Sequence, residues 1–207
     1  MFNRRKRHQK EEGIILTVIV GAITKKHGVV LAADSQFTNG YLKLDGDGKQ
    51  SKLWVDKENG YIFGSCGSVR HIQVVQYHVE WPKWRPNEHE LVRFGVTEIV
   101  PAIRTGVEGN GILKEKNGIE SIDSSTIIGL DDRHLLEVES DFCVMTSIHG
   151  RIVDGSGYAE SYGFLGEKGP WTKDDVIEAT RRATLTANGV GGDIYWVSTK
   201  DLKVRKA

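Results

Sequence analysis

Several residues with nucleophilic or acid–base chemistry stand at the ends of apolar runs in this chain. Thr17 opens Thr17-Val18-Ile19-Val20-Gly21-Ala22, and Asp34 closes Val29-Val30-Leu31-Ala32-Ala33-Asp34. Lys52 lies in Ser51-Lys52-Leu53-Trp54, Gly64 in Phe63-Gly64-Ser65-Cys66-Gly67, and Ser156 in Asp154-Gly155-Ser156-Gly157. Singly, each has an ordinary structural explanation: a β-branched strand residue, a turn aspartate, a solvated lysine, a close-packing glycine. Together they suggest a mechanism. A threonine that becomes a chain terminus carries a hydroxyl and an α-amine on one residue, and an amine of pKa about 7.7–8.0 suits a general base near neutrality. The hydroxyl turns nucleophilic once that amine takes its proton, directly or through water. A lysine ammonium nearby favours the deprotonated hydroxyl, and an aspartate keeps the lysine charged and in place. A glycine amide can donate to the oxyanion that develops on the substrate. Sixteen residues precede Thr17 and would have to be removed.

Those sixteen read as a leader or propeptide without fixed structure. Five basic residues (Arg4, Arg5, Lys6, Arg7, Lys10) against Glu11 and Glu12 give it a net charge of +3, so the remaining chain sums to −3 within an overall charge of zero. A solvated head is favoured over a nucleic-acid arm. A secretory signal is disfavoured because Glu11 and Glu12 interrupt the basic-then-apolar order, and no run reaches transmembrane length. Residues 17–207 fit one domain. With 39% hydrophobic and 27% charged residues the composition is that of an ordinary globular protein. The two cysteines, Cys66 and Cys143, exclude a disulfide framework and point to a reducing cytoplasm. The seven histidines are scattered, so neither a metal nor another cofactor is expected.

The elements that must position these residues follow from periodicity and turn chemistry. Strands are expected at Leu16–Thr24, Gly28–Asp34, Lys52–Val55 and Tyr61–Cys66. Val69, Ile72, Val75 and Val79 recur at helical spacing, which predicts a helix over Ser68–Trp81 ending before Pro82. A second helix should run from a cap at Asn87 to about Gly106, interrupted at Pro101. Gly109–Gly118 reads as a loop. Strands resume at Ser125–Leu130, His134–Val138, Phe142–Ser147 and Arg151–Val153, followed by a short helix to Phe164. A longer helix spans Thr172–Ala187, with Thr172 and Asp175 spaced as a capping box. Asp193–Thr199 and Leu202–Arg205 close the chain as strands. Two β-layers, each covered by a helix pair, is the simplest packing of that order: an α+β fold arranged as a four-layer α/β/β/α sandwich.

In motif order the chain resembles the proteasome β-type family of N-terminal nucleophile hydrolases, which includes the HslV-like threonine peptidases. Thr17–Gly21 is similar to the family's opening strand after processing, and Gly28–Asp34 to its second strand. Gly191-Gly192-Asp193-Ile194-Tyr195 resembles the closing glycine pair and strand. The resemblance implies Thr17 as nucleophile, Asp34 and Lys52 as its charged partners, Gly64 as oxyanion donor and Ser156 as support for the threonine amine. It further implies a threonine endopeptidase cleaving unfolded polypeptide inside a homo-oligomeric ring, with an ATPase or α-type cap as partner and no nucleic acid or membrane. Phe37, Gln50, Ile62 and Cys66 are the residues expected to line the pocket before the cleaved bond. Two positions depart from the pattern. Leu16 stands where self-cleaving members carry glycine, and Ala187–Gly192 lacks an aspartate found there in proteasome β subunits. The alternatives are an unprocessed, non-catalytic ring subunit and, more remotely, an amidohydrolase acting on small amides.

Overall fold

A computed structural model describes residues 17–39, 42–45, 51–147, 149–167 and 169–207. The chain opens with a hairpin of β1 (Val18–Thr24) and β2 (Gly28–Asp34), and a small hairpin of β3 (Gln36–Asn39) and β4 (Leu42–Asp45) follows. Next come β5 (Leu53–Asp56), β6 (Tyr61–Gly67) and helix α1 (Val69–His78). A broken helix follows as α2 (Leu91–Phe94), a π-helical turn at Gly95–Ile99, and α3 (Val100–Gly109). A second small hairpin pairs β7 (Lys114–Lys116) with β8 (Ile119–Ser121). Then come β9 (Ser124–Gly129), β10 (Leu135–Val138), β11 (Val144–Thr146) and β12 (Arg151–Gly155). Helices α4 (Tyr158–Leu165) and α5 (Lys173–Thr186) precede β13 (Ile194–Ser198) and β14 (Arg205–Lys206).

Two five-stranded antiparallel sheets result, ordered β12-β1-β2-β13-β14 and β11-β10-β9-β6-β5. Strand alternation divides the apolar residues among three clusters. Val18, Val20, Ala22, Val30 and Ala32 of the first sheet pack with Val176, Ala179 and Ala183 of α5. Phe63, Ile128 and Leu136 of the second sheet pack with Ile72 and Val75 of α1 and Ile103 of α3. Ile19, Leu31, Leu53, Ile62, Ile127 and Val197 form a third cluster, to which both sheets contribute. The mixed α/β character with antiparallel sheets is as expected. β1 and β2 are buried along nearly their whole length, which is why they read as continuous apolar runs instead of alternating ones.

The capping box on α5 forms as its spacing predicts: Asp175 N donates to Thr172 Oγ1 at 3.2 Å and Thr172 N to Asp175 Oδ2 at 2.7 Å. Other boundaries differ. Helix α1 stops at His78, because Val79 is already extended. The second helix starts from Glu90, not Asn87, since the Glu90 carboxylate accepts from Val92 N and Arg93 N. Pro101 cannot donate a ladder bond. The helix meets it with a wide turn in which Val100 N reaches back to Gly95 O, and continues beyond. The expected loop at Gly109–Gly118 contains β7, and the terminal strand is reduced to Arg205–Lys206. Among the described residues no helix is long and apolar enough to cross a membrane.

Candidate active site

The two sheets each deliver part of one polar constellation. Thr17 immediately precedes β1, and Asp34 is the last residue of β2, opposite Ile194 of β13. Lys52 enters β5 on the other sheet. All three are buried: Thr17 is 0%, Asp34 1% and Lys52 3% exposed. Asp34 Oδ1 accepts from Thr17 Oγ1 at 3.0 Å, from Val18 N at 3.0 Å and from Lys52 Nζ at 2.7 Å. Its Oδ2 accepts from Gly191 N at 3.1 Å. Charge-assisted bonds of this kind are the stronger class of hydrogen bond. Four donors from three separate chain segments therefore meet one carboxylate. Burial lowers the Lys52 pKa from its ordinary value, and the facing Asp34 carboxylate opposes that shift.

The Gly191–Asp193 loop is tied to the end of β2. Gln36 N donates to Gly191 O at 3.0 Å, Ser35 N to Asp193 O at 2.9 Å, and Asp193 N to Ser35 Oγ at 2.9 Å. This arrangement occupies the stretch where the sequence lacks an aspartate. The Phe37 ring closes the other side, its centroid 5.4 Å from Lys52 Nζ, a cation–π distance.

Three expectations need correction. Gly64 is not aimed at Thr17. Ser65 N donates to Lys52 O at 3.0 Å, so by antiparallel alternation Gly64 turns its N–H toward its β9 neighbour Ile127. A β-carbon on Gly64 would stand 2.6 Å from Ile19 Cγ2 and 3.1 Å from Leu53 Cδ2, so this glycine serves close packing between the sheets. The same alternation sends the Gly67 N–H to the side of Lys52, and Gly67 ends β6 at φ +112°. Ile62 is fully buried and packs in the cluster between the sheets, as a core residue does. Cys66 is also buried there, where it contacts Ser125 Oγ at 3.1 Å and Asp154. Gln50 lies outside the described residues.

Ser156 is exposed, and its hydroxyl bonds to no described residue. The preceding residue makes the contact with Thr17: a β-carbon on Gly155 (φ +96°) would stand 2.3 Å from Thr17 O and 3.2 Å from Thr17 Cγ2. Sequence reasoning missed the polar group behind this contact, formed by Cys66, Ser125, Glu137 and Asp154. The signal was present, because the alternation in His134–Val138 puts Glu137 on the same face as Leu135, which belongs to the inter-sheet cluster. Burial and the negative charges of Asp154 and Glu139 push the Glu137 carboxyl up to about 9, and burial followed by Asp154 raises the Cys66 thiol well above its usual value. Among the described residues no cluster of metal-ligating side chains occurs.

No family model matches the chain, and no curated protein matches it. Solved structures do. BPH of Thiobacillus denitrificans in complex with epoxomicin superposes with a TM-score of 0.69 at 14% identity, covering 92% of this chain and 98% of that one. A second structure of the same protein gives 0.68 at 15% identity with the same coverage. An Anbu (Gly-1) mutant from Hyphomicrobium sp. strain MC1 gives 0.61 at 16% identity, over 92% of this chain and 86% of that one. These likenesses are in fold. They overturn the assignment to the proteasome β-type and HslV-like family: what the comparisons support is a likeness of fold to structures such as BPH and Anbu, at 14–16% identity.

Proposed function

We propose that the chain is a threonine endopeptidase built on a four-layer α/β/β/α sandwich of the N-terminal nucleophile hydrolase type. The observation that carries this reading is the meeting of Thr17 Oγ1 and Lys52 Nζ on one buried oxygen of Asp34. A threonine with only a structural role needs no buried ion pair, and such a pair is weakly stabilising at best.

Removal of residues 1–16 frees the Thr17 α-amine. That amine takes the Oγ1 proton, and Oγ1 attacks the carbonyl carbon of the scissile peptide bond. Lys52, held by Asp34, favours the developing alkoxide electrostatically. The Gly67 N–H, on the Lys52 side of β6, donates to the oxyanion. Collapse of the tetrahedral adduct breaks the C–N bond, and the protonated α-amine returns its proton to the leaving amine. Water then hydrolyses the ester and restores Thr17. Ser156, next to the Gly155 contact, holds the freed amine, and Phe37 borders the substrate. The substrates are unfolded polypeptides, admitted to a homo-oligomeric ring in the cytoplasm with a separate ATPase or cap. BPH, similar in fold, was solved in complex with epoxomicin, and that compound serves as the probe.

The test is intact mass of the purified protein, with and without epoxomicin. The expected species begins at Thr17 and gains one inhibitor mass. Thr17→Ala abolishes the gain and all hydrolysis of fluorogenic peptides. Molecules that stay full length, take up no inhibitor and cleave no peptide overturn the reading in favour of a non-catalytic ring subunit, as the buried state of Thr17 in the intact chain would then explain. Leader removal that persists in Thr17→Ala assigns the trimming to another protease.

A further inference from the structure

The chemistry above leaves one buried polar cluster unused. Asp154 Oδ2 accepts from Cys66 Sγ of β6 and from Ser125 Oγ of β9, and Asp154 Oδ1 accepts from Gly155 N at 2.6 Å. Glu137 of β10 stands on the same inter-sheet face as Leu135, and Asp154 of β12 pairs with Ile19 of that same cluster; Glu137 is 6% exposed and has no hydrogen-bond partner at Oε1. Two carboxyl groups facing each other between the sheets, one of them buried, cannot both be charged without a penalty. Burial and the neighbouring acidic groups push the Glu137 carboxyl up to about 9, so Glu137 holds its proton at neutral pH. Asp154 is one residue from Gly155, and Gly155 lies against the main chain and methyl of Thr17. In the ladder Ile19 faces Asp154 and Val18 faces Gly155.

We propose that Asp154 is a positioning residue for Thr17: its carboxylate clamps the Gly155 turn beneath the threonine, and Glu137, Ser125 and Cys66 hold that carboxylate in place. Glu139, Cys66 and, beyond Cys66, Lys52 are the other titratable groups facing the pair. Deprotonation of Glu137 sets a second negative charge beside Asp154. The two carboxylates separate, the Gly155 turn moves with Asp154, and Thr17 loses its orientation. The catalytic consequence rests on the nucleophile reading, whereas the geometric one does not.

The experiment uses the full chain with ¹³C-methyl threonine, the Thr17 resonance being assigned with Thr17→Ser. The Thr17 methyl of the wild-type protein is expected to shift as the pH is raised through the range where Glu137 ionises. Glu137→Gln, which mimics the protonated form, should keep the neutral-pH position throughout. Asp154→Asn should displace the methyl at every pH and lower kcat for a fluorogenic peptide about 10- to 100-fold with little change in KM. An unmoved methyl in Asp154→Asn, or the same titration in Glu137→Gln as in wild type, overturns the proposal. Should Asp154→Asn fail to fold, the comparison of wild type with Glu137→Gln decides. Methyl shifts as expected, without any Thr17-dependent hydrolysis or inhibitor uptake, uphold the clamp and refute only the peptidase reading.

Discussion

Replacing Glu137 with glutamine should stabilise the protein, by an amount that grows with pH. The Glu137 carboxyl, ordinarily near 4.5, is pushed up to about 9 by burial and by Asp154 and Glu139. Below 4.5 the group is protonated in both folded and unfolded chains and contributes no pH dependence. Between 4.5 and about 9 the unfolded chain has released the proton and the folded one retains it. The folded state then binds more protons, so stability falls as pH rises, at about 1.4 kcal/mol per unit. At pH 7 the accumulated loss is about 3 kcal/mol, a large share of a typical domain's stability. Glutamine cannot ionise in either state, fills the same volume and can still donate to Asp154. The advantage of Glu137→Gln over wild type should thus be near zero at pH 4.5 and about 3 kcal/mol at pH 7. Urea unfolding of both proteins at pH 5, 6, 7 and 8, at one protein concentration, measures it. A difference that stays constant with pH, or that favours the wild type at pH 8, refutes the claim that Glu137 is buried as the neutral acid.

Other substitutions probe the site and the corrected residues. Asp34→Asn removes the charge that compensates Lys52 and should destabilise the fold by about 3 kcal/mol in urea unfolding, with loss of peptide hydrolysis. Gly64→Ala should cost about 1–3 kcal/mol through overpacking against Ile19 and Leu53, measured as a lowered urea midpoint. Ile62→Ala should cost about 2–5 kcal/mol while leaving the ranking of cleaved peptides unchanged, because Ile62 belongs to the core. Thr172→Ala opens the capping box of α5 and should cost about 1 kcal/mol by the same assay.

Much of the scaffold was legible from local pattern. The β1–β2 hairpin, α1 and the capped α5 are short-range features, decided by apolar periodicity and by side chains that bond within a few residues. The interrupted second helix was half legible. Pro101 announced a break, but only the competition between Glu90 and Asn87 for the first turn decided where the helix starts, and the pattern did not show that the chain would pass the proline through a π turn. Thr17, Asp34 and Lys52 stood out because each sits at the end of a strand-like run, where polar side chains are otherwise scarce.

Direction was not legible. A sequence gives the alternation of a strand but not which parity faces which neighbour. Gly64 and Gly67 are therefore indistinguishable as donors until the bond from Ser65 N to Lys52 O fixes the phase of β6. Ile62 and Cys66 read equally as pocket or core until the first sheet covers them. The acid pair of Glu137 and Asp154 joins residues seventeen apart in sequence on different sheets, and only the stacking of those sheets brings two carboxyls into one apolar space. The sequence by itself determined which residues were chemically equipped, Thr17 foremost. The tertiary structure decided which of them meet, because burial and charge act through distance in space, and strand parity sets that distance.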